Sequence, residues 1–230
     1  MAVSSVGMAR FERSGLTEAA LRGAEFVPFQ HEHQEDRRID LVVAAARRGD
    51  RSLVYAYERE LDHSGHRAGC GSQEWLDHLI RIDAMCRRLR DALPDDVRLI
   101  VTGDHGMVDV PVECQLIAED EPQLMAGVSA LAGEGRFRQV YVDHDDPRAV
   151  ARRWQDRLRD WAWVRTREEA VDEGWFGLVD DALLERYGHV LVAMRGSYAV
   201  MTRQLPRELD LVGMHGSLTP VEMTVPLCCD

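Results

Sequence analysis

Two stretches decide the fold: Leu53-Val54-Tyr55-Ala56-Tyr57-Glu58-Arg59-Glu60-Leu61-Asp62-His63-Ser64-Gly65-His66 and Val97-Arg98-Leu99-Ile100-Val101-Thr102-Gly103-Asp104-His105-Gly106-Met107. Each opens on a short apolar run, β-branched or aromatic, and passes into polar and turn residues, the pattern of a strand that ends in a loop. Between them Ser72 stands as an N-cap with Glu74 in the first turn. Trp75, Leu79, Ile82, Cys86, Leu89 and Leu93 then recur at helical spacing until Pro94. Strand, helix, strand predicts a right-handed βαβ unit with parallel, buried strands. In both stretches Asp and His come just past the strand's carboxyl end, the edge at which open α/β sheets bind ligands and metals.

Working outward, residues 36–48 predict an amphipathic helix burying Ile39, Val42, Val43 and Ala46, closed by Gly49. Residues 1–15 read as irregular, or as one strand around 8–11, and residues 16–22 as a short helix. The polar run 30–36 reads as a surface loop; its His31-x-His33 pair has no third ligand nearby in sequence. Residues 113–135 carry little pattern. Strands are expected at 138–143 and 161–166, and a helix at 147–160 with Pro147 in its first turn. Residues 166–171 and 179–187 look helical. Residues 190–194 and 198–202 are expected to pair as a hairpin around Arg195-Gly196-Ser197. Cys228 and Cys229 close an apolar stretch and read as small core residues. No repeat or linker interrupts the chain, which is read as a single domain over 1–230.

The 230 residues suffice to bury a core, and 45% hydrophobic with 30% charged residues describes an ordinary globular chain. The net charge of −12 argues against a nucleic-acid backbone or an anionic membrane surface as partner. It leaves room for a small anionic substrate, because a metal dication reverses the local field. No segment has the length of a membrane span, and five cysteines without C-x-x-C spacing fit a reduced, cytoplasmic chain.

The chemistry gathers on five residues. Asp62 and His66 are four apart, so a helical turn there puts both on one face. Asp104 and His105 are adjacent and need the irregular turn that Gly103 and Gly106 allow. His215, between Met214 and Gly216, offers a ligand from far along the chain. Carboxylate oxygen with neutral imidazole suits zinc, manganese or iron better than calcium. Taken one at a time, each also has a plain reading, Asp62 as a helix cap and Asp104-His105-Gly106 as a turn. His63, His78, His144 and His189 show no partner pattern and read as surface or supporting groups.

Taken in order, Asp62-His63-Ser64-Gly65-His66, Thr102-Gly103-Asp104-His105-Gly106-Met107 and His215-Gly216-Ser217 resemble the alkaline phosphatase superfamily, in particular its type I phosphodiesterase/nucleotide pyrophosphatase branch. The likeness extends to residues 72–75, Leu93-Pro94 and residues 222–227. It implies an α/β fold: an alkaline-phosphatase-like sandwich with a mainly parallel central sheet flanked by helices, here without its N-terminal part. It implies two divalent cations, zinc with manganese as the alternative: Asp62, His66 and His215 hold one, Asp104 and His105 the other, and only the first is fully liganded by this chain, since two ligands are too few for firm binding.

The resemblance also implies a metal-dependent phosphohydrolase that cleaves phosphoester or pyrophosphate bonds in a small phosphorylated substrate such as a nucleotide. Family members carry, upstream of these motifs, a strand ending in a further Asp ligand and then a Thr or Ser nucleophile. No such segment is recognised before residue 62, and nothing around Ser4, Ser5 or Thr17 resembles it. The chain is accordingly expected to supply no nucleophile, to be truncated relative to the family, and to be weakly active or inactive alone. The alternative expectation is a catalytically dead, metal-binding or scaffold remnant.

Overall fold

A computed structural model describes residues 1–230. Contacts gather the chain into two compact units: Met1–His63 with Gln73–Val101 and Cys228–Asp230, and Ser64–Ser72 with Thr102–Leu227.

The first unit is built on a parallel three-stranded sheet. Ala2–Met8 lies in the centre, with Glu25–Phe29 on one side and Ser52–Ala56 on the other. The central strand was not legible as such, and the structure moves it from 8–11 to Ala2–Met8. Its Ala-Val-Ser-Ser-Val-Gly-Met composition is barely apolar, yet Ser4, Ser5 and Val6 are buried. A central strand needs small side chains more than hydrophobic ones where helices cover it closely. Pro28 sits on an outer strand, where a missing N–H is tolerated. The helix Glu35–Ala46 buries Ile39, Val42, Ala45 and Ala46, which pack with Phe29, Leu89 and Leu93 in one cluster.

Both organising runs are strands, but neither is a buried one. Leu53 on Ser52–Ala56 is 55% exposed and Ile100 on Ile100–Thr102 is 56% exposed. Each has a neighbour on one side only: Ser52–Ala56 pairs with Ala2–Met8, and Ile100–Thr102 with Leu227–Cys229. The predicted βαβ pair is therefore not made as a direct strand pairing. The intervening helix Gln73–Ala92 buries Leu89 and leaves Leu79 largely exposed. Cys228 and Cys229 are exposed rather than core residues. They lie on a strand with one neighbour, held by Asp230, which accepts from Leu99 N–H and Arg90.

The second unit centres on a four-stranded antiparallel sheet in the order Val128–Glu134, Phe137–Val142, Val190–Met194, Ala162–Thr166. Residues 113–135, patternless in sequence, supply one of its outer strands. The helix Pro147–Leu158 starts on Asp146, whose side chain accepts from Arg148 N–H, and has Pro147 in its first turn. Its Val150, Trp154 and Leu158 are buried with Val140, Val164, Val190, Val192 and Met194. Trp154 satisfies its indole N–H on Leu124 O at 3.0 Å. Thr166 and Glu169 form a capping box at the helix Arg167–Asp172. Residues 179–187 are a 3-10 helix over Asp181–Arg186.

The expected hairpin of residues 190–194 and 198–202 does not form. Val190–Met194 runs between two other strands, and Ala199–Met201 pairs parallel with Gln115–Ile117. The backbone of Gly135-Arg136 takes the bonds that such a hairpin would use: Met194 N donates to Arg136 O and Val200 N to Gly135 O, both at 2.9 Å. No helix of the chain is long and apolar enough to cross a membrane.

Removing the Trp154 side chain leaves a cavity in this core and an unsatisfied Leu124 carbonyl. Trp154→Ala is expected to destabilise the chain by about 3–5 kcal/mol, read as a lower midpoint in urea unfolding followed by circular dichroism. An unchanged midpoint would show that this indole is not part of the cooperative core.

Candidate metal centre

The helix Glu60–Ala68 turns the Asp62/His66 spacing into geometry, since residues four apart share a helical face. Gly65 lies on its buried side, and the extended pair Gly213–Met214 passes close to it. A Cβ on Gly213 would stand 2.5 Å from Gly65 O, so only glycine lets the two backbones approach. Val212 N donates to His66 O at 2.8 Å, and His66 Nδ1 lies 2.7 Å from Gly213 O. Gly213–Met214 in turn pairs antiparallel with Val108–Asp109, just past the Asp104-His105-Gly106 turn. Asp109 accepts from Cys70 N, beyond the end of the same helix. Three segments distant in sequence are thus stitched together by backbone bonds.

Rings meet where they are stitched. The His105 and His215 imidazoles stack with centroids 3.5 Å apart, and His66 is 5.1 Å from His215. Asp62 stands one turn before His66 on the same continuous helix. The His105 and His215 rings thus lie together within the second unit, with His66 beside them. Asp104 is largely exposed, its carboxylate 3.7 Å from His105 Nε2. Of the five residues singled out in sequence, His66, His105 and His215 come together within the second unit, and Asp104 stands against His105.

The ring hydrogens bear on whether a metal ion fits. A carbonyl only accepts, so the contacts of His66 Nδ1 with Gly213 O and of His105 Nδ1 with Gly106 O, the latter 2.9 Å, put the proton on Nδ1 in both rings. That leaves the lone pair on Nε2, the arrangement in which a backbone carbonyl orients a metal-binding histidine. Donor chemistry and tautomers both suit a borderline cation. His31 and His33 stack on each other in an exposed loop and join no ligand group. His189 has a backbone role, accepting from Val142 N at 3.0 Å.

Sequence reasoning missed the groups that hold the ligand loops. Glu222, on the short helix Pro220–Met223, is 2% exposed, and its carboxylate accepts from Arg136 Nε and Nη2, Ser217 N and Thr219 Oγ1. Its backbone carbonyl accepts from Gly106 N at 2.7 Å. The Thr219-x-x-Glu222 spacing is a capping-box signature and was the one available signal. Here the Glu222 carboxylate accepts from the Thr219 hydroxyl rather than from the cap's backbone N–H and pairs with Arg136.

The sequence matches the profile of the type I phosphodiesterase/nucleotide pyrophosphatase family over residues 9–218, and the chain belongs to that family. Enzymes of this family are metal-dependent and act on nucleotides and phosphoesters. Ectonucleotide pyrophosphatase/phosphodiesterase family member 7 of Rattus norvegicus is 36% identical over 87 residues, covering 36% of this chain and 20% of that protein. The Homo sapiens counterpart is 34% identical over 87 residues and is covered over 19% of its length. Among solved structures, human ectonucleotide pyrophosphatase/phosphodiesterase 5 is similar with a TM-score of 0.70 at 14% identity, covering 98% of this chain and 59% of that one. An inactive murine form of it in complex with AMP gives 0.68 at 16%, over 98% and 59%. Phosphonoacetate hydrolase from Sinorhizobium meliloti gives 0.65 at 16%, over 99% and 65%. The chain thus shares their α/β fold while spanning less than two thirds of their length.

Burial pushes the Glu222 carboxyl up, but hydrogen bonds from Arg136 and Thr219, the Arg136 charge and the Ser217 N–H outweigh it and hold it below its ordinary 4.5. A carboxyl lowered in the folded chain contributes stability that is whole above the unfolded-state value and is lost as pH falls through the folded one. The Tm advantage of the wild type over Glu222→Gln is therefore expected to be constant near neutrality and to shrink as pH drops below 4.5. Thermal melts of both at a series of pH values check this; an advantage that grows on acidification contradicts it.

Proposed function

We propose that this chain carries the cation-binding part of a hydrolase that cleaves phosphoester or pyrophosphate bonds in small phosphorylated compounds such as nucleotides. The observation that carries the reading is the meeting of the His66, His105 and His215 rings within the second unit, with Asp62 one turn before His66 on the same helix. In this reading Asp62, His66 and His215 serve one divalent cation and Asp104 and His105 a second, zinc being the best fit to imidazole and carboxylate donors. The stacking of His105 on His215 supports both sets serving a single reaction centre.

Divalent cations held there supply Lewis-acid stabilisation of phosphoryl charge and activation of a hydroxyl or water. The chain's own residues do three things. The Asp62 and Asp104 carboxylates supply negative charge that favours cations. The Nδ1 contacts of His66 and His105 with backbone carbonyls leave Nε2 as the nitrogen that would serve a cation. And cation capture would reverse the local field for a phosphate on a chain whose net charge is −12. The reading assigns no nucleophile to this chain: Ser4 and Ser5 are buried within the central strand Ala2–Met8.

Zinc titration of the chain by calorimetry, with hydrolysis of an aryl phosphodiester followed in parallel, tests the proposal. Zinc binding is expected, weakened at least about tenfold by Asp62→Ala or His215→Ala, with turnover near background. Absence of zinc binding overturns the metal reading. Turnover well above background that those two substitutions abolish would overturn the expectation of an inactive chain, showing that the cation site suffices for hydrolysis.

A further inference from the structure

One residue reaches both ligand-bearing loops. The Glu222 carboxylate accepts from Ser217 N at 3.0 Å and from Thr219 Oγ1, fixing the backbone two residues past His215. Its main-chain carbonyl accepts from Gly106 N, next to His105. Gly106 has no alternative seat: a Cβ there would fall 1.9 Å from Val221 O. Behind Glu222, Arg136 donates to both carboxylate oxygens and spends its remaining N–H groups on Gly196 O, Tyr198 O and Met194 O. Ser217 Oγ closes the frame by donating to the same Met194 O at 2.5 Å. Neither Arg136 nor Glu222 belongs to the candidate ligand group.

We propose that Glu222 is a positioning residue, which sets the register of His105 against His215 by tying both loops to Arg136. The proposal deepens the cation-binding reading above and rests on it for its purpose, but the register itself can be measured without any cation. A paired carboxylate without exposure to solvent keeps one geometry, because each of its oxygens is saturated by donors from different segments. Loosening it frees the two loops to move independently, which separates the stacked rings.

The test compares wild-type chain, Glu222→Gln and the control Trp154→Phe, which perturbs the core of the same unit away from the ligand loops. In the metal-free chain, proton NMR cross-peaks between the His105 and His215 rings are expected in the wild type and in Trp154→Phe, and lost in Glu222→Gln. Zinc affinity, measured by competition with a chromophoric chelator well below the Tm, is expected to fall about ten- to a hundredfold in Glu222→Gln and to stay unchanged in Trp154→Phe. Where Glu222→Gln does not fold, the double change Arg136→Met with Glu222→Leu removes both buried charges together, which folded chains tolerate better than half a pair, and is read in the same way. Ring cross-peaks that persist in a folded variant lacking the Glu222 carboxylate overturn the proposal. A wild-type chain that shows the cross-peaks yet binds no zinc defeats the cation reading alone, and the cross-peaks of the variant still decide the positioning role.

Discussion

A guanidinium with no exposed side-chain surface faces a carboxylate that is 1% exposed, and the candidate site hangs from that pair. Neither charge is near water, so each must find its full complement of partners inside the protein. Arg136 does so on Glu222 and on the carbonyls of Gly196, Tyr198 and Met194; Glu222 does so on Arg136, Ser217 and Thr219. Such a pair is a poor source of net stability, because desolvation offsets most of the attraction. What it provides is a single permitted arrangement of the segments that carry its partners, and those segments border the histidines.

The main chain at Arg136 also shapes the topology of the second unit. With the Gly135-Arg136 backbone bonded to Met194 N and Val200 N, the strands Val190–Met194 and Ala199–Met201 are held in different pairings. Arg138, equally buried and two residues further on, repeats the device by donating to Val200 O and Gly133 O and pairing with Glu208. Two arginines on Phe137–Val142 and its approach therefore specify where neighbouring chain segments go, and the apolar cluster around Trp154 supplies the burial that drives folding. The division between specificity and driving force is spatial as well as chemical.

Much of the site was legible because its parts are local signals. The i,i+4 spacing of Asp62 and His66 survives as a helix, and Asp-His flanked by glycines survives as a tight turn, since both depend on residues near in sequence. The helix Glu35–Ala46 and the core helix Pro147–Leu158 were read within a few residues for the same reason. The central strand Ala2–Met8 was not, because serine and glycine carry no hydrophobic alternation. The hairpin at 190–202 failed because a good turn signal was overruled by a distant backbone.

By itself the amino-acid sequence determined the family and the α/β class and put forward five candidate ligand residues, because residue type and short-range spacing are properties of the chain alone. Only the tertiary structure decided which of those residues meet, that His105 lies against His215, and that Glu222 is bonded to both loops. Those relations depend on long-range packing: bonds such as Gly106 N to Glu222 O and Arg136 to Glu222 join residues about a hundred positions apart, and no local pattern encodes a partner at that distance.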